Sequence, residues 1–134
     1  MLAVGCSHGT FANPDALRAV LRFRDEWKPK HRIHLGDAYD STAFRTGAVG
    51  GKDSDCTESI HDDITNGARF LSDFKPTVFC LGNHEHRLVK LAEHYNEIIA
   101  MAAQATLERM IDAIGDAPIV PYTVHEKGWY NLGG

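Results

Sequence analysis

Three short apolar runs alternate with two helix-length amphipathic segments over the first 82 residues, and that alternation leaves few folds open. MLAVGC opens the chain as a strand, and ANPDALRAVLRFRDEWK follows it, with Asn13 as N-cap, Pro14 at the first helical position and Asp15 in the first turn. Ala16, Val20, Phe23 and Trp27 recur at helical spacing, and Leu17 and Leu21 widen the stripe, which predicts a face turned to a sheet. HRIHLGD then places Ile33 and Leu35 in a second strand that stops at Gly36 and Asp37. Residues 41–58, rich in Gly, Ser, Thr and Asp, predict the longest loop in the chain. A second helix is expected from a cap at Ser59, with Ile60, Ile64, Ala68 and Leu71 on one face. Gly67 within it costs about 1 kcal/mol relative to Ala. The third run, KPTVFCLG, is apolar throughout, as a parallel strand covered on both faces requires. The order βαβαβ predicts a layered α/β domain.

After GNHEH no Pro or Gly occurs until Gly115, and Leu88, Leu91, Tyr95, Ile98 and Ala102 recur at steps of three and four. One long helix, or two joined end to end, is expected there. Its near-3.5-residue period is compatible with a partner helix in a homo-oligomer, although packing on the protein's own sheet is the stronger expectation. PIVPYTV reads as a strand broken by Pro121, which belongs at a sheet edge. A chain of 134 residues is expected to form a single domain, 1–134. Its net charge of -4 offers no broad basic face, so nucleic acid is not a favoured partner. No run approaches the roughly 18 apolar residues that suggest a membrane span, and MLAVGCSHGT lacks the basic start and long apolar middle of a leader. A cytoplasmic protein without a membrane partner is expected. Cys6, Cys56 and Cys80 are odd in number and form no CxxC pair, which points to free thiols.

Each apolar run ends in a polar cluster. Cys6, Ser7 and His8 follow the first, Asp37 the second, and Asn83 and His84 the third. In an open parallel sheet the carboxyl ends of the strands lie along one edge, where ligands bind, so the fold would gather these residues from distant parts of the chain. Imidazole, carboxylate and amide oxygen are the donors that Mn, Fe, Zn or Ni accept. Two such ions roughly 3.5–4 Å apart would hold a phosphate ester and lower the pKa of a bound water. Competing chemistries fail on spacing. A cysteine phosphatase would need Arg six positions after its Cys, where Ala12 stands, and a phosphate-binding loop would need Gly and Ser or Thr where Thr46 and Asp53 stand.

CSHG, GDAYD and GNHE resemble the first three motifs of the calcineurin-like metallophosphoesterase family, usually written D-x-H, G-D-x-x-D and G-N-H-[DE], over about residues 1–87. The resemblance implies a metal-dependent hydrolase of phosphate mono- or diesters with a divalent transition-metal cofactor, two ions drawn from Mn, Fe, Zn or Ni. It implies His8 on the first ion, Asp37 bridging both, Asn83 on the second and His84 beside the phosphate as the catalytic group. Cys6 occupies the position of the family's first Asp and stands either as a ligand or as a bystander. The family's later ligands, a His on a further strand and a G-H-x-H motif, have no counterpart, since His125 is the one histidine after position 94. The expectation is therefore a shortened form lacking the C-terminal part, and the alternative function is a non-catalytic metal- or phosphate-binding domain or an inactive truncated fragment of a phosphoesterase. Around these motifs, Asp40 is expected either to orient a ligand or to cap a turn. His31 and His34 are expected at the surface or the core edge, His86 and Arg87 either in contact with phosphate or exposed to water at a helix start, and Cys80 as a small buried hydrophobe. The acids from Asp53 to Asp63 read as a solvated loop and helix start, and Glu85 begins a helix with no assigned chemistry.

Overall fold

A computed structural model describes residues 1–44, 59–122, 130, 131 and 133. Four short strands, β1 (Leu2–Val4), β2 (Arg32–His34), β3 (Val78–Cys80) and β4 (Ile119–Val120), form one sheet in the order β1-β2-β3-β4. Every neighbouring pair is parallel, with Ala3 opposite Ile33, Ile33 opposite Val78, and Phe79 opposite Ile119. The connections carry α1 (Pro14–Trp27), α2 (Ile60–Phe74), and then α3 (Asn83–Leu91) with α4 (Glu97–Ile114). The α/β class and the order of elements agree with the sequence. β4 takes the expected edge position beside β3, just before Pro121, while residues 123 and 124 of the anticipated strand lie outside the described residues. The same holds for residues 45–58 of the long loop, Cys56 among them, and for His125.

Local signals place the helices. Asn13 accepts the N–H groups of Asp15 and Ala16 at 2.9 and 3.2 Å, and Ser59 accepts that of Asp62 at 3.3 Å. Both helices end on a lysine in the left-handed region, Lys28 and Lys75. The main core lies between α2, α3 and α4 and the helix-facing side of the sheet, with Ile64, Leu71, Phe79, Leu88, Ala103, Met110 and Ile114 buried together. A separate cluster of Ile33, Val78 and Val120 forms from the alternate strand positions. Gly67 is a necessity of this packing, because the Tyr39 ring lies where its side chain would be.

Two helical faces differ from their sequence-based expectations. No residue of α1 is buried, and Phe23 and Trp27 are 50% and 51% exposed, whereas Leu17, Val20, Leu21 and Arg24 are half-buried. The helix turns Leu17 and Leu21 inward, with α2 as a packing partner, and β1, the strand before it, stands at the sheet edge. The expected stripe from Leu88 to Ala102 also breaks. Leu88 is buried, but Tyr95 and Ile98 are 93% and 79% exposed. Asn96 caps a new helix by accepting the Ile98 N–H at 3.0 Å, and this restart resets the phase, so that Ala103, Met110 and Ile114 face inward instead.

Candidate metal centre at the strand ends

The loops after β1 and β2 run side by side. Cys6 N–H donates to the Gly36 carbonyl at 3.0 Å, His8 N–H to that of Asp37 at 2.9 Å, and Gly9 N–H to that of Ala38 at 2.8 Å. Cys6, His8 and Asp37 all have positive φ, at 55°, 47° and 54°. Of the other non-glycine residues of this kind among the described ones, Lys28 and Lys75 end helices and Ser41 lies in the same loop as Asp37. Left-handed backbone costs an ordinary residue about 1–2 kcal/mol, and its concentration here marks a constrained site. The result is that one donor atom each of Cys6, His8 and Asp37 fall within 4.8 Å of one another.

The loop after β3 closes on these two. Its Gly82 packs so tightly on Asp37 that a side chain there would overlap the carboxylate. α3 starts immediately afterwards with Asn83, exposed at its first position. His84 N–H donates to Asp37 Oδ1 at 3.0 Å, so the Asp37 carboxylate sits at the positive end of α3 while Oδ2 faces Cys6 Sγ at 4.0 Å. Asp40 joins the two histidines. Its Oδ1 lies 3.0 Å from His8 Nδ1 and 3.6 Å from His84 Nδ1, and its backbone carbonyl also accepts from His84 Nδ1. The rings meet edge to face, with centroids 4.7 Å apart. Both rings therefore meet Asp40 through Nδ1. Asp40 thus orients both imidazoles, the first of the two roles open to it in the sequence.

Two buried carboxylates that the sequence left without a role hold this arrangement. Glu85 is fully buried and accepts four backbone N–H groups: Asp37 at 2.9 Å, Ala38 at 2.7 Å, Tyr39 at 3.2 Å and Gly82 at 2.8 Å. Burial pushes its carboxyl up from the usual range, against the downward pull of those N–H groups. Asp63 is buried as well, which corrects its placement in a solvated acidic run; its carboxylate accepts from Asp40 N–H at 3.0 Å and Ser41 N–H at 2.9 Å. A signal for Glu85 was present, since Glu at the third helical position after a cap reaches back to the cap N–H. None existed for Asp63, whose partners are more than 20 positions away.

His34 is the other correction, being fully buried rather than at the core edge. Its Nδ1 accepts from Gly36 N–H at 3.2 Å, which places the ring proton on Nε2, 3.2 Å from Ser7 Oγ. The ring stacks on Phe79, and burial lowers its pKa to about 4 despite the nearby Asp37 carboxylate. Cys80 is half-buried beside the Ile33 cluster, and burial raises its thiol. His86 is half-buried against the Tyr122 ring, and Arg87 reaches toward the carbonyls of Asp40 and Ser41 at 3.5 Å.

The family model for calcineurin-like phosphoesterases matches residues 1–132. The chain belongs to that family. The match continues well past residue 87, where the three motifs end. No curated protein and no solved structure matches the chain. Membership agrees with the parallel sheet and with the polar strand ends, and it makes the domain phosphoesterase-like and metal-dependent in kind. The donors fit a divalent ion: one thiol, one imidazole and one carboxylate converge, and a second group, His8, Asp40 and His84, lies beside them. No helix among the described residues is long and apolar enough to cross a membrane.

Proposed function

We propose that the protein hydrolyses phosphate mono- or diesters at this strand-end centre, with His8, Asp37 and Asn83 holding divalent transition metal, two ions if Asp37 bridges. The convergence of Cys6, His8 and Asp37, with His8 and His84 sharing the Asp40 carboxylate beside them, is the observation that carries the proposal. Bound ions would polarise the phosphoryl oxygens and supply hydroxide near neutral pH. The chain's own residues do the rest. Asp37 is held by its own N–H on Glu85 and by the His84 N–H on Oδ1, so its Oδ2 keeps one direction without reorganising. His84 holds a proton on Nδ1 against the Asp40 carbonyl, which leaves Nε2 as the ring atom for protonating the leaving oxygen. The Asp40 carboxylate lies beside both rings, 3.6 Å from His84 Nδ1.

A cleft of about 390 Å³ adjoins Cys6, His8 and Asp40 and is walled by Phe11, Leu17 and Val20, which supports a substrate with an apolar group on its phosphate. The shortness of the ligand set favours a second reading, a metal- or phosphate-binding domain without turnover, because both candidate groups share His8.

The test is hydrolysis of bis-nitrophenyl phosphate by metal-free protein supplied in turn with Mn, Fe, Zn and Ni. Turnover with at least one ion is expected, together with its loss in Asp37→Asn and His84→Ala. Protein that binds these ions yet stays inactive with all four would leave the binding domain as the function.

A further inference from the structure

We infer that Cys6 is a thiolate ligand of this centre and that it turns the first ion position toward zinc or ferrous iron and away from manganese or magnesium. The inference rests on the metal-dependent reading of the site and specifies its ion. The family pattern has a carboxylate where this chain has Cys6, so the donor is a property of this sequence.

Geometry supports coordination. A tetrahedral zinc ion with Zn–S near 2.3 Å and Zn–O near 2.0 Å separates its sulfur and oxygen donors by about 3.5 Å. Cys6 Sγ and Asp37 Oδ2 stand 4.0 Å apart, and a His8 ring nitrogen lies within 4.8 Å of both. A side-chain movement of roughly 0.5 Å would bring the sulfur and oxygen to ion-binding distance. The backbone is already committed to this arrangement, because Cys6 is held at φ 55° by its N–H bond to Gly36.

Other roles for Cys6 fit poorly. The side chain is exposed, so it does not pack against an apolar cluster as the half-buried Cys80 does. At 4.0 Å a thiol gains little from a hydrogen bond to Asp37. Ionised, it would face the Asp37 carboxylate, a like charge at 4.0 Å. A cation between the two removes the conflict. Thiolate is a strong donor for Zn and Fe and a poor one for Mn and Mg, which prefer carboxylate and water, so the exchange of one donor atom shifts the choice of ion.

Cobalt(II) titration of the reduced protein tests the assignment apart from activity. Cobalt bound at the centre gives visible d–d absorption, and a thiolate ligand adds a near-ultraviolet sulfur-to-cobalt charge-transfer band. Both are expected for the natural sequence. Cys6→Ser should keep the visible bands, lose the charge-transfer band and weaken zinc binding about tenfold or more, the scale seen when even supporting groups of metal sites are lost. Cys6→Asp should lose the same band and raise manganese affinity relative to zinc, while circular dichroism confirms that both variants fold. Visible bands without charge transfer, or charge transfer that survives in Cys6→Ser, overturn the ligand assignment and leave the metal centre standing. Absence of cobalt, zinc and manganese binding in folded protein overturns the centre and its thiolate together.

Discussion

Replacing Glu85 by glutamine preserves volume and changes only which backbone groups find an acceptor. Each Glu85 oxygen accepts two N–H groups: Oε1 those of Ala38 and Tyr39, Oε2 those of Asp37 and Gly82. In Glu85→Gln the amide oxygen satisfies one pair, and the NH2 group faces the other pair donor to donor. Leaving a buried donor unsatisfied costs about 1–3 kcal/mol, so the loss is roughly 2–6 kcal/mol, with about 4 as a central figure. A domain of this kind is stable by about 5–15 kcal/mol, and 4 kcal/mol corresponds to a fall in Tm of roughly 10–20 °C at this chain length. Thermal unfolding followed by circular dichroism measures it, with exposed Glu93→Gln as the reference change. Metal affinity should fall in parallel, because Asp37 and Gly82 are both in the grip of the same carboxylate. A Glu85→Gln protein that melts within about 3 °C of the natural one would refute the four-bond clamp and, with it, the claim that Asp37 is held rigid before any ion binds.

Acid should weaken the fold through His34. Its pKa falls from 6.5 to about 4 on folding, so the unfolded chain takes up the proton first. Stability from the neutral ring is complete above pH 6.5 and is lost as pH falls toward 4, by up to about 3 kcal/mol; urea midpoints across that window measure it, and a flat profile there contradicts the buried neutral ring. Asp63→Asn puts an amide NH2 against the N–H of either Asp40 or Ser41, at a cost of about 1–3 kcal/mol. It should also lower kcat more than it raises KM, since Asp40 carries the two histidines; kinetics unchanged in Asp63→Asn would separate the support from the site. Tyr95, Ile98 and Met101 lie 93%, 79% and 67% exposed around the start of α4, and a homo-oligomer, compatible with the helical period of the sequence there, is proposed through that face. Sedimentation should show a dimer that Ile98→Glu returns to monomer, and a monomeric natural protein removes the idea.

The fold and the site were legible to different depths. Alternation of apolar runs with capped amphipathic segments is a local property, so β1 to α2 and β3 could be placed from Asn13, Pro14, Ser59 and the TVFCL run alone. The residues offered for chemistry were equally visible, because glycine followed by an acid or amide at the end of an apolar run has little other use. Phase was harder to read. Phe23 and Trp27 carry the same periodic signal whether a helix turns them inward or leaves them half-exposed, and Asn96 resets the α4 face through a cap that resembles any other polar residue.

Exposure was the least legible property of all. Asp63 and His34 are a charged and a titratable residue in polar surroundings in the sequence, and each is buried because a partner distant in the chain satisfies it. The chain specified which groups are available, strand end by strand end. Their spacing, the protons on their rings and the burial of Glu85 and Asp63 beneath them came from tertiary contact, since hydrogen bonds and desolvation depend on neighbours brought together only when the three loops close on one another.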